Sequence, residues 1–497
     1  MNISKNNFAD WIINKNSSDK IFCVDSLGNS ISYKDLGNKV RSFSSVLKHI
    51  FNIQPQQRVG IYIDDTIEWP VAFLSCIYIG ANPLLLYKNL LKKDVKKICS
   101  LADCEIIISK STDDIEGIVY IDNLFILNLN DSYRLGDNLN VLPYEFHKDE
   151  MCWWALSSGS TGEYKCIVNR HGSFEDLYNV ANKRVGITEN SKVLCVAKMA
   201  FAWGLAHLMW VLSNNATLFL IAGVPAPTII FKMLHQHNIT MICLSPYILN
   251  AMCKKKDQTI PSITKIISSG EPLSKHIRNK VKNTFNKKIF DGYGTSEIWS
   301  AISIQEEDNV SFNNIGSVIT GIDYKIINEK GVKCKEEEPG ELYIKHPAQA
   351  LMYWKDKKST YKTFRGDWVR TGDKVFEKEN KLVFLSRLDD ILKIKGLFVS
   401  PIEIENVILN YPQVEFCVVS GAKNSDGLMS IYGFIVLSKN NKEFDLKLLK
   451  KYMREELPAE KIPAHINIID EIPKTINNKT KRNYFVNLME KSVDLKV

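Results

Sequence analysis

Residues 155–165 read Ala155-Leu-Ser-Ser-Gly-Ser-Thr-Gly-Glu-Tyr-Lys165, where an apolar strand end is followed by small and hydroxylated residues and a lysine. Glycines let backbone N–H groups approach an anion, hydroxyls add donors, and a lysine just beyond can neutralise phosphate charge. The segment is not a Walker A motif, because Tyr164 precedes Lys165 and Cys166 follows it. By itself it fits a phosphate-binding loop or a flexible surface loop.

A second segment, Asp291-Gly-Tyr-Gly-Thr-Ser-Glu297, combines an aromatic ring, two glycines, two hydroxyls and two carboxylates. The ring can stack on a purine and the hydroxyls can meet phosphate. The carboxylate of Glu297 can hold Mg²⁺, which keeps few protein ligands and bridges substrate phosphates. Alone, this segment is also typical of an ordinary turn, so the two segments together carry more weight than either one.

Away from these segments, short apolar runs such as residues 59–63, 104–108 and 242–244 alternate with helix-like stretches such as 33–49. This alternation predicts an α/β fold with largely parallel sheets. After about Leu388 the chain becomes rich in lysine and has apolar runs of its own, at 416–420 and 431–437. The change indicates a separate C-terminal domain.

Composition narrows the function further. The 497 residues are 45% apolar and carry a formal charge of +8, but 64 basic residues are mixed with 56 acidic ones, so we expect no nucleic-acid partner. Eleven cysteines without zinc spacing, in a chain without an evident signal peptide, predict reduced thiols and a cytoplasmic protein. The longest apolar run, 199–212, is too short to predict a membrane span.

Together with motifs further along the chain, the two segments resemble the adenylate-forming superfamily of acyl-CoA synthetases, peptide-synthetase adenylation domains and luciferases. The further motifs follow in the family's order over nearly the whole length: Gly340-Glu-Leu-Tyr-Ile344, Arg370-Thr-Gly-Asp373, Ser386-Arg-Leu-Asp389 with Lys393-Ile-Lys-Gly396, Pro401-Ile-Glu-Ile-Glu405, and Pro473-Lys-Thr-Ile-Asn-Asn-Lys-Thr-Lys-Arg482. The resemblance implies an α/β fold in which residues 1–387 form a large N-terminal ATP- and acid-binding domain, with parallel-rich sheets flanked by helices plus a β-subdomain. Residues 388–497 would form a small, mobile α+β domain.

Position by position, the resemblance also implies an ATP site. Tyr293 would stack on adenine, Asp291 would accept from its amino group, and Ser296 would touch the α-phosphate. Glu297 would bind Mg²⁺, and Asp373 would accept hydrogen bonds from the ribose hydroxyls, which are donors. The implied ATP- or AMP-binding residues are Ser157, Ser158, Gly159, Ser160, Thr161, Gly162, Lys165, Gly270, Glu271, Pro272, Asp291, Gly292, Tyr293, Gly294, Thr295, Ser296, Asp373 and Arg387.

The catalytic assignments rest on the same resemblance. Lys479 matches the adenylation lysine, which bridges the attacking carboxylate and the α-phosphate as negative charge builds, with Ser296 and Glu297 as the other catalytic residues. Asp389 falls at the hinge position. Lys395 and Gly396 would line the thiol tunnel after the small domain rotates.

Within the superfamily the chain is most similar to benzoate-CoA ligases, through Lys198-Met-Ala-Phe-Ala-Trp-Gly-Leu205 and Leu392-Lys-Ile-Lys-Gly-Leu-Phe-Val-Ser-Pro401. The resemblance implies a substrate pocket formed by Phe201, Ala202, Trp203 and Gly204, with Trp203 where those ligases usually have tyrosine. These residues offer no carboxylate to pair with a substrate ammonium, and small residues beside aromatic ones suit an aryl ring. The alternative is a buried helix or strand at 201–210.

The expected reaction is therefore the ATP- and Mg²⁺-dependent conversion of an aromatic, benzoate-like acid to an acyl-AMP, then transfer to a thiol with release of AMP and pyrophosphate. The acceptor is expected to be CoA. One alternative is a stand-alone adenylation enzyme that loads a carrier-protein phosphopantetheine. Another is a catalytically dead nucleotide-binding paralogue, because Cys166 and Asn478 depart from the family pattern; Tyr164 departs from it as well. The oligomeric state, monomer or homodimer, stays open.

Overall fold

The computed structural model of the protein describes residues 7–109, 115, 117–122, 141–158, 164–175, 177, 185–255, 259–299, 301–305, 313–394, 397–423, 429–438, 444–473, 482, 484–486 and 488–489. Within these ranges the α-helices are Phe8–Lys15 (α1), Tyr33–Ser45 (α2), Glu68–Tyr78 (α3), Lys92–Ala102 (α4), Ala202–Asn214 (α5), Pro227–His237 (α6), Pro246–Cys253 (α7), Lys275–Phe285 (α8), Lys357–Thr363 (α9), Pro401–Leu409 (α10) and Leu446–Glu456 (α11). A π-helix, Val46–Ile50, continues α2, and 3-10 turns occupy Leu388–Asp390 and Ala459–Lys461.

The strands of the first half are Ile21–Asp25 (β1), Ser30–Ser32 (β2), Arg58–Ile61 (β3), Asn82–Leu85 (β4), Ile106–Ser109 (β5), Val119–Asp122 (β6), Met151–Ser158 (β7), Tyr164–Arg170 (β8), Lys192–Cys195 (β9), Thr217–Leu220 (β10), Met241–Leu244 (β11) and Lys265–Ser269 (β12). Those of the second half are Ile289–Gly294 (β13), Ala301–Gln305 (β14), Asn314–Val318 (β15), Asp323–Ile327 (β16), Gly340–Lys345 (β17), Met352–Tyr353 (β18), Phe364–Arg365 (β19), Trp368–Lys378 (β20), Lys381–Arg387 (β21), Leu392–Ile394 (β22), Leu397–Val399 (β23), Val414–Lys423 (β24), Met429–Leu437 (β25) and His465–Ile468 (β26).

Two large sheets form most of the molecule. The first has the strand order β18-β8-β7-β4-β3-β5-β6, and the strands β3 to β7 pair in parallel. The second runs β16-β17-β20-β21-β15-β14-β13-β12-β11-β9-β10-β1-β2, with β19 beside β20. Its central strands β13, β12, β11, β9, β10 and β1 are parallel, and its β14 to β21 end is antiparallel. The predicted α/β class with parallel-rich sheets and a β-subdomain is confirmed.

The main core lies between these sheets. One apolar cluster joins buried residues of β3, β7 and β8 to those of β1, β9 and β10, and it includes α3 and α5. All eleven residues of α3 are buried, because Glu68–Tyr78 is apolar around most of its circumference. The sequence-predicted strands at 59–63, 104–108 and 242–244 are present as β3, β5 and β11, and the helix predicted at 33–49 is α2 with its π-helical continuation.

A smaller α+β unit follows β21. Strands β24, β25 and β26 form its sheet, and helices α10 and α11 pack against it around Val419, Ile435 and Leu449. The domain boundary predicted after residue 387 coincides with the last residue of β21, and it stays a prediction.

Two further features concern the described residues as a group. In the part of the chain that the structure describes, no helix is both long enough and apolar enough to cross a bilayer. All eleven cysteines lie in described segments as free thiols, and ten of them are buried while Cys334 is partly exposed.

Candidate active site

A cavity of about 930 Å³ opens at the carboxyl ends of the central parallel strands. Val196, Ser245 and Ser269 line it, and each lies at or just beyond the end of β9, β11 or β12. The parallel register of these strands, with Leu244 opposite Ser268, brings their ends to one edge of the sheet. Crevices outside the carboxyl ends of parallel strands are the usual ligand sites of open α/β sheets.

Twelve residues predicted from the sequence line this cavity. They come from five separate segments of the chain: Ser157, Lys165, Phe201, Ala202, Trp203, Gly270, Gly294, Thr295, Ser296, Glu297, Arg387 and Asp389.

The remaining predicted residues fall into two groups. Some are described but do not line the cavity: Gly204, Glu271, Pro272, Asp291, Gly292, Tyr293 and Asp373. The side chain of Ser158, and all of Gly159, Ser160, Thr161, Gly162, Lys395, Gly396 and Lys479, lie outside the described residues.

The lysine of the phosphate segment is held at the cavity wall. Ser157 of β7 pairs with Lys165 of β8 across an antiparallel ladder, so these two residues flank the Gly/Ser/Thr-rich segment. The Lys165 ammonium donates to the Ser359 hydroxyl over 2.5 Å and lies 3.5 Å from the Asp356 carboxylate. Both partners belong to the start of α9, where Asp356 is the N-cap. A cation therefore sits beside the cavity.

Glu297 is oriented by a residue that the sequence analysis did not select. The Tyr353 hydroxyl donates a 2.7 Å hydrogen bond to Oε1 of Glu297, and the Ala350 N–H donates to the Glu297 carbonyl over 2.8 Å. Burial, followed by the nearby Glu297 charge, raises the pKa of Tyr353, so its hydroxyl is a donor at neutral pH. Tyr353 also lines the cavity. Its position 56 residues from Glu297 leaves no local sequence signal.

Asp373 is clamped from two sides. Tyr293 donates to one carboxylate oxygen over 2.5 Å, and Nε of Arg387 lies 3.1 Å from the other oxygen. Asp373 and Arg387 are opposite each other in the β20–β21 register, which explains their proximity. Gly372 has a φ of +72°, and a Cβ there would lie 3.3 Å from the Arg387 guanidinium, so this tight turn favours glycine. The clamp fixes the carboxylate's orientation next to the cavity-lining Arg387.

Asp291 is buried in β13. The main cause, burial, raises the pKa of its carboxyl to about 7, although the Arg278 charge and the Leu273 N–H oppose the rise. The following residue, Gly292, faces the Trp203 ring, and a Cβ at Gly292 would approach that ring to 3.1 Å. The strand thus lies directly behind the aromatic wall of the cavity.

The predicted substrate pocket is formed by the first turn of α5. The Phe201 N–H donates to the Lys198 carbonyl over 3.0 Å, which closes a turn before the helix begins. A Cβ at Gly204 would stand 2.2 Å from that carbonyl, so only glycine fits this turn. The Phe201 ring packs 5.2 Å from the Tyr87 ring. The segment is thus a largely buried helix whose first residues line the cavity, and its role as a substrate pocket stays a prediction.

The Trp203 side chain is supported by aromatic neighbours. It makes edge contacts with the rings of His207 and Trp210, at 4.8 Å and 5.5 Å between centroids. Nδ1 of His207 lies 2.6 Å from the Trp203 carbonyl oxygen. Burial lowers the pKa of His207 to about 4, so the ring is neutral and donates its Nδ1–H to that carbonyl. This packing gives the pocket a stiff apolar wall.

The small C-terminal unit contacts the large one beside this site. Glu415 forms an ion pair with Lys254 of the α7 C-cap and accepts a 3.4 Å hydrogen bond from Asn250. The predicted hinge residue Asp389 lies in the exposed 3-10 turn between the two parts, 3.9 Å from Lys362. Burial lowers the pKa of the Arg482 guanidinium, but Glu405 raises it, and the charges of Asp390 and then Glu271 add to that rise.

Comparison with known proteins gives consistent matches over most of the chain. The family model described as AMP-binding enzyme matches residues 10–354, and the model described as AMP-binding enzyme C-terminal domain matches residues 403–479. The chain is 27% identical to the 4-hydroxybenzoate-CoA/benzoate-CoA ligase of Rhodopseudomonas palustris, covering 96% of this chain and 92% of that protein. It is 28% identical to the benzoate-CoA ligase of Thauera aromatica, covering 96% and 95%.

Among solved structures, a benzoate CoA ligase from Burkholderia xenovorans LB400 superposes with a TM-score of 0.86. The two chains are 26% identical, and the alignment covers 97% of this chain and 99% of the other.

Proposed function

Because the chain belongs to the family of AMP-binding enzymes, we propose that it activates an aromatic, benzoate-like acid with ATP and transfers the acyl group to CoA. The observation that carries this proposal is one cavity lined by Lys165, by Ser296 and Glu297, and by the aromatic wall of Phe201 and Trp203. Such a cavity can hold a nucleoside triphosphate next to an aryl acid. The relatives named above, which are benzoate or hydroxybenzoate ligases, support the same substrate class.

In the first half-reaction, a carboxylate oxygen of the acid attacks the α-phosphorus of ATP. The new O–P bond forms as the bond to the pyrophosphate oxygen breaks, and the product is an acyl-AMP mixed anhydride. Negative charge builds on the α-phosphate oxygens, so fixed donors and cations lower the barrier. We assign this role to Lys479, with Ser296 as a hydroxyl donor at the α-phosphate.

The nucleotide itself would be held by the Asp373 clamp. Tyr293 and Arg387 fix the orientation of the Asp373 carboxylate. We assign this carboxylate to the ribose hydroxyls, because they are hydrogen-bond donors. The Lys165 ammonium, which follows the Gly/Ser/Thr-rich phosphate segment and lines the cavity, supplies positive charge for the outer phosphates of ATP. The reactive groups are thereby brought together by positioning, which is the main contribution an enzyme makes to such transfers.

The residues present fit a Mg²⁺ ion delivered with ATP. Glu297 lines the cavity, and Tyr353 donates to Oε1 of Glu297. Glu297 would hold the ion, because Mg²⁺ keeps few protein ligands. When bound, the ion neutralises phosphate charge. Tyr353 would keep the Glu297 carboxylate in a fixed orientation.

In the second half-reaction, the CoA thiolate attacks the acyl carbon of the mixed anhydride, the thioester C–S bond forms, and AMP leaves. We propose that rotation about Asp389 replaces Lys479 at the site by Lys395 and Gly396, which then border the pantetheine path. The eleven free thiols of the chain support a reducing, cytoplasmic setting for this chemistry.

Acid-dependent exchange of pyrophosphate into ATP tests the proposal, with benzoate, hydroxybenzoates, aminobenzoates, short fatty acids and amino acids as substrates. We expect exchange with aryl acids, its loss in Lys479→Ala, and a CoA thioester when CoA is added. Exchange without CoA turnover would instead identify a carrier-protein thiol as the acceptor. No exchange with any acid would overturn the proposed function.

A further inference from the structure

A cation lies in the wall of the cavity, next to the aromatic residues of the proposed acid pocket. Lys198 is 9% exposed and lines the same cavity as Tyr87 and Phe201. A lysine so deeply buried is uncommon unless it is paired. The groups that surround the buried Lys198 ammonium are therefore informative about its role.

The ammonium has two partners. It lies 3.2 Å from Oδ2 of Asp65, and it donates a 2.8 Å hydrogen bond to the Ile221 carbonyl. An ammonium has three N–H donors and no acceptor. Within the described segments of the chain the third N–H of Lys198 has no partner, and Lys198 is one of the residues that line the cavity.

Asp65 balances the charge of this group. The carboxylate is 6% exposed and comes from the loop after β3, whereas Lys198 comes from the loop after β9, so the pair links the two large sheets. Burial raises the pKa of Asp65, but Lys198 and the N–H of Met199, 3.2 Å from Oδ1, act against that rise. The pair is neutral overall, so it does not require an anion from the ligand.

We propose that the third N–H of Lys198 determines specificity by donating to a neutral hydrogen-bond acceptor on the ring of the acid substrate. Acceptors of this kind are a ring nitrogen, a hydroxyl oxygen or an ether oxygen. An acid that lacks one would leave a buried donor without a partner, which costs binding free energy. The inference rests on the proposed function and refines its substrate class, from aryl acids in general to aryl acids that bear an acceptor.

The test compares acids of the same shape. Benzoate and the three pyridinecarboxylate isomers differ only by one CH replaced with an acceptor nitrogen, and the isomers place it at three ring positions. Values of kcat/KM are measured by pyrophosphate exchange. We expect one isomer to exceed benzoate by roughly 10- to 100-fold, the range for one hydrogen bond to a charged donor. Hydroxybenzoates with oxygen at the same ring position should share the advantage.

A variant assigns the effect to Lys198. Lys198→Met alone would leave Asp65 buried without its cation, so the double variant Lys198→Met/Asp65→Asn is used. In this protein the ratio of kcat/KM between the favoured isomer and benzoate should fall toward one, whatever its absolute activity. The matched control is Lys192→Met, because Lys192 donates to the His237 carbonyl over 3.0 Å but does not line the cavity. It should keep the ratio.

Two results would overturn the inference alone. One is equal activation of benzoate and all three isomers by the unmodified enzyme, a comparison that does not depend on the folding of any variant. The other is a preference that survives in the double variant. Absence of exchange with every acid would overturn the proposed function and this inference together, so the two failures can be told apart.

Discussion

The hydroxyl of Tyr293 donates a 2.5 Å hydrogen bond to Oδ2 of Asp373, eighty residues further along the chain. This bond connects the end of β13 in the parallel sheet to β20 of the β-subdomain. Burial, and then the Asp373 charge, raises the pKa of Tyr293, so the phenol keeps its proton and acts as a donor. The orientation of the proposed ribose acceptor thus depends on two parts of the fold meeting.

Tyr293→Phe removes this hydrogen bond but keeps the ring. We expect kcat/KM for ATP to fall by roughly 10-fold or more, the usual effect of losing a hydrogen bond to a charged group. Saturating acid should not restore it. Tyr324→Phe is the matched control, because Tyr324 donates to the Glu377 carboxylate over 2.7 Å and neither residue lines the cavity. Equal effects of the two variants would contradict a role for Tyr293 in nucleotide binding.

Tyr353→Phe should change the response to Mg²⁺. Without the 2.7 Å hydrogen bond, the Glu297 carboxylate is no longer held in one orientation. Losing a positioning partner of a metal ligand typically weakens metal affinity by about 10- to 100-fold. We therefore expect the Mg²⁺ concentration for half-maximal exchange to rise, with little change in KM for the acid. Tyr361→Phe, on the exposed face of α9, should leave the Mg²⁺ response as it was.

Asp291 predicts a pH dependence of stability. Its folded-state pKa of about 7 lies above the ordinary value of 3.8, so the unfolded chain releases this proton first. The protonated Asp291 carboxyl therefore stabilises the folded state. This contribution to the free energy of unfolding is fully present below about pH 4 and is lost as the pH rises through the folded-state pKa of about 7. In that window the contribution falls by up to about 1.4 kcal/mol per pH unit, a limit set by one proton.

Urea unfolding of Asp291→Asn at pH 5 and pH 8 checks this sign. The free energy of unfolding of the variant minus that of the unmodified protein should be larger at pH 8 than at pH 5. The unmodified protein loses the contribution of Asp291 between these pH values, whereas the amide of the variant does not titrate. Asp323→Asn, at an exposed position of β16, should give the same difference at both pH values. If the stability difference for Asp291→Asn does not vary with pH, the pKa of the Asp291 carboxyl is not raised in the folded protein.

Glu415→Gln should affect the two half-reactions unequally. The Glu415–Lys254 pair joins the small unit to α7. In this arrangement Arg482 of the small unit forms an ion pair with Glu405. Arg482 follows Lys479 by three residues, so we infer that this arrangement favours adenylate formation. Weakening one partly buried ion pair should destabilise this arrangement by about 1 kcal/mol, which corresponds to a roughly 5-fold smaller equilibrium constant for it.

The measurement is pyrophosphate exchange beside thioester formation from supplied acyl-AMP. Exchange should slow by about that factor, whereas thioester formation should stay equal or become faster. Asp367→Asn removes the exposed pair with Lys345 within the β-subdomain and serves as the control. A parallel loss in both half-reactions would instead mean that Glu415 supports the fold generally.

Much of the site was predictable because its motifs are contiguous. The phosphate segment, the segment ending in Glu297 and the turn before Phe201 each carry their signal in a few residues, and Ser157, Lys165 and Ser296 do line one cavity. The strands at 59–63, 104–108 and 242–244 and the helix at 33–49 followed from apolar patterning in the same way.

Contacts between distant segments were not predictable. Lys198 was visible within its motif, but Asp65 lies 133 residues earlier in a loop without distinctive composition. Tyr353 likewise meets Glu297 only because β18 joins the edge of the seven-stranded sheet. Pairing of this kind is decided by tertiary packing, which a single sequence does not encode locally.

The accessibility of the ten buried thiols can be used to follow unfolding of the protein. An alkylating reagent should modify the partly exposed Cys334 first, and each buried cysteine only when its surroundings open. Cys417 lies in the core of the small unit and Cys195 in that of the large one. The order in which these two become alkylated in rising urea, read by mass spectrometry, would reveal whether the units melt as one cooperative body or in sequence.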